Sequence, residues 1–423
     1  MPQGEYPLGE LAADDLGAYH YANLLLHEIT SGIYPRGVRL DSSELVDRRS
    51  LAVFSAVVCG VIMPKILHFA SELAGGVQKT ERGFTKKDRA QLIDAFQRII
   101  SVITMGTDTE AEVNSFLDIL AYLSGLTFVS TSSNSSFGVP GGDAEANLAD
   151  VEKVTQAISD GYLLRGIAYK GGDGLVMTNV LHKTKPEAEN SQVPILAEDE
   201  RYYGATFIAQ HARPISEISV SPGWFFQPSP PAIPDLPIVL SHLPDPESEG
   251  YIDYEAATIA DQLMEVLNAS QIFGIESAVP QYLRQGTRFI ILEAPGRANG
   301  PLYELYPIIR AANQLEARTR DQTKPIFIVT SECLFPYATK DYGASVLYML
   351  EQMSQYNDRV VNGRSLPAQS IRFLIAIHLI RAKVLSDFGN FKAEKEYFGV
   401  TAEKIQQWID DYIRARNLPG LRR

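Results

Sequence analysis

Side chains able to do chemistry are thinly spread along this chain of 423 residues. Its histidines are His20, His27, His68, His182, His211, His242 and His378. None stands in the H-E-x-x-H spacing or beside a C-x-x-C pair, so no zinc ligand set can be read. His27-Glu28 falls in an apolar helical stretch and reads as structural. There is no G-x-S-x-G elbow for a serine nucleophile. Cys333, in Ser331-Glu332-Cys333-Leu334, follows a predicted strand, a place where α/β folds carry ligands. A thiol nucleophile also needs a neighbouring base, and the spacing supplies none. Asp143, Asp173 and Asp199-Glu200 fall in predicted loops, where acidic residues solvate turns. The sequence therefore assigns no catalytic, cofactor-binding or metal-binding residue, and no cofactor is expected.

The loop Gly296-Arg297-Ala298-Asn299-Gly300 allows the sharpest test. Glycines between a strand and a helix can bring backbone N–H groups close to a phosphate. A dinucleotide site needs G-x-G-x-x-G and a P-loop needs G-x-x-x-x-G-K-[ST]. Neither spacing is present, and Pro301 stands where the P-loop lysine belongs. The glycines read as a turn. The basic clusters Arg36–Arg39, Arg48-Arg49, Lys79–Arg89 and the C-terminal arginines read as solvated faces that could also meet phosphate.

The elements that would position these residues are clearest between 287 and 331. Arg288–Ala294 and Ile326–Thr330 are compact apolar runs rich in β-branched residues, and each predicts a buried strand. A helical pattern at Leu305, Ile308, Ile309, Ala312 and Leu315 lies between them. The three form a predicted βαβ unit with parallel strands covered on both faces.

The rest of the chain divides by character. Residues 1–125 form a predicted helical region. Asp41–Glu44, Thr85–Asp88 and Thr107–Glu110 are start signals. The second precedes a helical face of Leu92, Ile93, Phe96, Ile99, Ile100 and Ile103. Residues 126–160 hold a Ser/Gly-rich loop, Ser130–Gly142, expected to be exposed, and a short helix from Ala144 to Ser159. Residues 161–249 are β- and Pro-rich. Tyr162–Tyr169 and Leu175–Leu181 flank Lys170-Gly-Gly-Asp-Gly174 as a hairpin, with further strands at Tyr202–His211 and Ile215–Val220. Trp224, Phe225 and Phe226 follow among prolines and need a core or a neighbouring subunit to cover them. Residues 250–423 return to helices at Tyr254–Asn268, Tyr342–Tyr356, Pro367–Asp387 and Ala402–Arg416, around the βαβ unit. The fold class expected is α+β, predominantly α-helical.

The formal net charge of −13 argues against a broad basic face for duplex DNA. Two cysteines are too few for a disulfide framework and point to a reducing compartment. The first residues lack the basic region of a signal peptide, and the apolar run Leu51–Met63 is too short to span a bilayer.

An acidic chain rich in tyrosine, with no catalytic constellation and a Pro- and aromatic-rich excursion between helical regions, resembles the capsid proteins of small double-stranded RNA viruses, the partitivirus kind. That resemblance is one of organisation. It implies a self-assembling coat protein rather than an enzyme, located in the virion and host cytoplasm, with 161–249 projecting and the helices forming the shell. Its partners would be further copies of itself in a closed shell and, weakly, viral RNA, with no membrane. Tyr6, Leu8, Leu11, Trp224, Phe225, Phe226, Trp408 and Tyr412 are then the interface candidates. Arg414, Arg416, Arg422 and Arg423 are the RNA-contact candidates. Two alternatives stay open. One is a nucleoprotein enclosing single-stranded RNA between helical lobes. The other is an α/β enzyme with its site after Ala294 and Ser331, lined by Glu293, Arg297, Asn299 and Glu332.

Overall fold

A computed structural model describes residues 63–77, 84–106, 110–133, 142–183, 207–220, 230–240, 263–268, 286–294, 325–331, 346–348, 357–364, 366–387 and 399–416. The chain divides into two compact units: residues 1–180 with 209–254, and residues 181–208 with 255–423. Both helices and sheets build it, so the coarse class is α+β. Each unit is organised around a sheet with parallel strands.

In the first unit, helices α1 (Met63–Leu73) and α2 (Lys86–Phe96) precede strand β1 (Ile100–Gly106). Helix α3 (Glu110–Ser124) crosses to β2 (Thr127–Ser133), and α4 (Ala144–Ser159) crosses to β3 (Ala168–Gly172). β1, β2 and β3 run parallel, with Val102 opposite Val129 and Val129 opposite Tyr169. β4 (Leu175–Lys183) pairs antiparallel with β3, and β5 (Phe207–Pro214) completes the order β1-β2-β3-β4-β5. The turn between β3 and β4 is Asp173-Gly174. Both residues have positive φ, 53° and 73°, the twist that a two-residue hairpin needs. α3 and α4 both pack on β2 and β3. Val151, Val154, Ala157 and Ile158 of α4 close over Val129, Tyr169 and Val176.

The start signal at Thr85 holds as expected. Its hydroxyl accepts from Asp88 N, and its own N–H donates to the Asp88 carboxylate, which keeps that carboxyl below its usual range. Four expectations are corrected. The helix over residues 92–103 stops at Phe96, and Ile100–Gly106 is a strand, because Ile99, Ile100, Val102, Ile103 and Thr104 are β-branched and gain more from a buried sheet than from a helix. Ser130–Ser133, expected in an exposed loop, lie in β2 with Ser130, Thr131 and Ser132 buried. Ile215–Val220 is a 3-10 helix and not a strand. The end of the expected helix Tyr254–Asn268 is instead strand β6 (Met264–Asn268). The β3–β4 hairpin, which the resemblance would have set in a projection, shares a sheet with β1 and β2.

In the second unit, β6, β7 (Phe289–Ala294), β8 (Ile326–Ser331) and β9 (Val360–Asn362) form a wholly parallel sheet in that order. The two strands of the expected βαβ unit are β7 and β8, with Glu293 opposite Thr330. Every residue of both is buried, as a sheet covered on two faces requires. The helix expected between them lies outside the described residues. Helix α5 (Leu236–Leu240) belongs to the first unit, whereas α6 (Ala368–Asp387) and α7 (Ala402–Ala415) belong to the second. α7 repeats apolar residues at Ile405, Ile409, Tyr412 and Ile413, all buried. Burying each contributes about 1.5–3 kcal/mol. Thr401 caps this helix, its hydroxyl accepting from Lys404 N at 3.3 Å.

Candidate functional site at the carboxyl edges of the sheets

Parallel sheets present binding sites outside the carboxyl ends of their strands, where loops and helix starts converge. In the first unit this edge carries an unusual density of buried polar side chains. Asn114, Ser115 and Asp118 come from α3. Ser130, Thr131 and Ser132 come from β2, Asn147 and Asp150 from α4, and Lys170 from β3. None is more than 6% exposed.

Alternation along the strands sorts them by face. Ser130 points to α3: its Oγ donates to Asn114 Oδ1 and lies 3.2 Å from the Tyr169 carbonyl oxygen. The Cα of Lys170 is opposite that of Ser130, which puts Lys170 on the same side. Asp118 follows Asn114 by one helical turn and is buried beside it in sequence periodicity. Thr131 lies on the opposite face, with α4. A Cβ on Gly172 would stand 3.3 Å from Asn147 Cγ and 3.5 Å from Thr131 Oγ1, so these groups crowd together.

α4 holds this edge with two side chains. Asn147 Nδ2 donates to the Ser132 carbonyl at 2.9 Å, and its Oδ1 accepts from Asp173 N at 3.0 Å. Asp150 Oδ2 accepts from Gly174 N at 2.7 Å, and its Oδ1 meets Lys153 Nζ at 3.1 Å. The end of β2 and the β3–β4 turn are thereby pinned to one helix. The close fit depends on Gly171, where a Cβ would stand 3.3 Å from Val151 N. Atoms in this edge that are buried without a hydrogen-bond partner include Thr131 Oγ1 and Asn114 Nδ2. Buried polar groups are normally satisfied, so such groups mark positions where a ligand or water belongs.

The second unit's edge bears one candidate named from sequence, Glu293, buried at the end of β7, with Ser331 buried at the end of β8. Arg297, Asn299, Glu332, Cys333 and the 296–300 loop lie outside the described residues. So do Tyr6, Leu8, Leu11, Trp224, Phe225, Phe226, Arg422 and Arg423. The remaining candidates are placed. Tyr412 is 1% exposed within its own unit. The Trp408 ring stacks on His378 of α6 at 3.8 Å with planes 2° apart, and Lys404 Nζ sits 5.7 Å from its centroid. Tyr412 thus packs within its own unit, and Trp408 is half-buried against α6. Arg416 is buried, and Arg414 is exposed and paired with Asp411 at 2.8 Å. Burial next to two cations, Arg381 and Lys404, holds the His378 imidazole well below its usual pKa.

The serine- and threonine-rich edge escaped the sequence reading because small hydroxyl residues in a row resemble a loop. Thr127-Phe128-Val129 before them was the available signal for a strand. Among the described residues, no three His, Cys, Asp or Glu side chains are placed to hold a metal ion, and no helix is long and apolar enough to cross a membrane.

No family model matches the chain, and no curated protein matches it. Solved structures similar to it include the thermostable L-asparaginase from Thermococcus kodakarensis, at 13% identity and a TM-score of 0.44, covering 78% of this chain and 79% of that one. Another is L-asparaginase I from Vibrio cholerae O1 biovar eltor str. N16961, at 15% identity and a TM-score of 0.42, with the same coverage. Both are enzymes, and neither is a coat protein. The expectation of a capsid protein without enzymatic activity is corrected on that finding.

Proposed function

We propose that this protein is an α/β enzyme whose reaction centre lies at the carboxyl edge of β1, β2 and β3. The observation that supports the reading most is the buried, unpartnered Thr131 Oγ1 on the α4 side of that edge, with Asn114 Nδ2 likewise unpartnered on the α3 side. Leaving such groups unpaired costs about 1–3 kcal/mol each, a cost that binding of a complementary substrate offsets. The residue types suit a small polar substrate. Hydroxyls, carboxamides, carboxylates and a lysine can together orient an acyl compound and stabilise charge developing on its oxygen. Transfer of an acyl group from a small amide or ester to water is the reaction class we assign. A second location within the same reading is the edge of β7 and β8, favoured by the buried carboxyl of Glu293.

The purified chain should release ammonia or acid from at least one member of a panel of small amides and esters, with L-asparagine included. Thr131→Val keeps the shape and removes the hydroxyl. It should leave the thermal midpoint unchanged or raised and lower kcat/KM by about 100-fold, as loss of one positioned polar group does. Turnover of no compound in the panel, or full activity in Thr131→Val, would sink the assignment to this edge.

A further inference from the structure

The start of α6 is a second place where polar groups wait without partners, and it does not depend on the reading above. α6 has 20 residues and begins at Ala368. Its first intrahelical bond runs from Ile371 N to the Pro367 carbonyl at 3.1 Å. The N–H groups of Ala368, Gln369 and Ser370 therefore have no acceptor within the helix. Pro367 precedes them and carries no side-chain acceptor, so it cannot cap the helix as Ser, Thr, Asp or Asn would. This end is buried: Leu366 is 0%, Ala368 3% and Ser370 1% exposed. Ser370 Oγ and Gln369 Nε2 are also buried with no hydrogen-bond partner. Helical Cα–Cβ bonds tilt toward the N-terminus, so the Ser370 side chain leans into the uncapped end.

Gly363 and Arg364, which precede this end, are held closely. Gly363 N donates to the Val329 carbonyl at 2.7 Å, and a Cβ on Gly363 would stand 2.7 Å from Ile371 Cδ1 and 2.8 Å from Thr330 Cβ. Arg364 has a φ of 59° and is held by Asp410 at 3.2 Å and by Asn362 Oδ1, which accepts from Arg364 N at 2.9 Å. Thr330 Oγ1 donates to the Leu366 carbonyl, which ties this end to β8. Of the two unpartnered side-chain groups, Gln369 Nε2 is a donor and the Ser370 hydroxyl can donate too. The positive end of the helix dipole adds to them.

We propose that the start of α6, with Ser370 and Gln369, binds a small oxyanion, either a phosphate group or the carboxylate of a small metabolite. A bound oxyanion would accept from the helix N–H groups, Gln369 Nε2 and Ser370 Oγ at once, which is the pattern of anion sites at helix starts. The site lies at the carboxyl edge of β8 and β9 and serves binding, with no reaction assigned to it.

The test is calorimetric titration of the full-length chain with sodium phosphate and, separately, with sodium succinate, each against sodium chloride at equal ionic strength. Saturable binding of one anion is expected, and which anion binds identifies the source. Ser370→Ala should weaken that binding about tenfold or more, as loss of a hydrogen bond to a charged group does. Alanine favours helix and leaves no orphan hydroxyl, so this variant folds at least as well as the wild type. Gln369→Met should weaken binding independently. Absence of saturable binding by both anions, or unchanged affinity in Ser370→Ala, overturns the proposal. A variant that is simply more stable than wild type, with no anion effect in either protein, overturns it as well.

Discussion

Replacing Asn147 should loosen the first unit's polar edge by an amount that its hydrogen bonds set. The side chain is 4% exposed and makes two bonds across the edge, to the Ser132 carbonyl at 2.9 Å and from Asp173 N at 3.0 Å. Asn147→Ala removes both bonds and leaves the buried Ser132 carbonyl behind, together with the N–H of Asp173, an exposed residue that water reaches. At about 1–3 kcal/mol for the buried carbonyl left unpaired, and less for the N–H that water can reach, the expected loss is about 1–4 kcal/mol. Urea denaturation should show a lower midpoint with an unchanged m-value. Asn147→Asp separates the two bonds. Its carboxylate can still accept from Asp173 N, but its other oxygen faces the Ser132 carbonyl with no proton between them. That repulsion raises the new carboxyl's folded-state pKa, so the protonated form is the better fit. The unfolded chain then loses its proton first as pH rises, and the defect grows above the unfolded carboxyl value of about 4. Asn147→Asp should therefore lie close to wild type at acid pH and approach or pass Asn147→Ala at neutral pH. A loss below about 0.5 kcal/mol in Asn147→Ala, or a pH-independent Asn147→Asp, would refute the claim that this residue pins β2 and the hairpin to α4.

Two further outcomes follow from the second unit. His378 is held neutral by burial and by Arg381 and Lys404, so its folded pKa is depressed relative to the unfolded value of about 6.5. The unfolded chain binds the proton first on acidification, so this stability is present above about 6.5 and is lost as pH falls through that value. His378→Phe, which keeps an aromatic ring against Trp408, should flatten the fall in stability between neutral and mildly acid pH; an unaltered slope would count against the assignment. Gly363→Ala would force a methyl to within 2.7 Å of Ile371 Cδ1 and 2.9 Å of the Val329 carbonyl oxygen, and should cost about 1–3 kcal/mol in thermal or urea unfolding. A variant as stable as wild type would mean that α6 stands further from β8 than described.

Local chemistry made several elements legible from the chain alone. The apolar, β-branched runs of β7 and β8 announce strands buried on both faces, because no other element hides so many consecutive apolar side chains in so few residues. Thr85 and Asp88 mark the start of α2 because their side chains satisfy N–H groups within three residues. The repeat of α7 and the glycines of the β3–β4 turn are equally local. What depends on distant partners was hidden. The hydroxyls of Ser130 and Thr131 look like loop residues until α3 and α4 close over them and make a polar strand tolerable in a core. The face of α7 looks like an unsatisfied interface until His378, thirty positions earlier, lies flat on Trp408. Periodicity reports which side of a helix is apolar, but not whose surface will cover it. The start of α6 is hidden for the same reason: Pro367 is ordinary in the sequence, and only the folded unit buries Ser370 Oγ and Gln369 Nε2 without a hydrogen-bond partner.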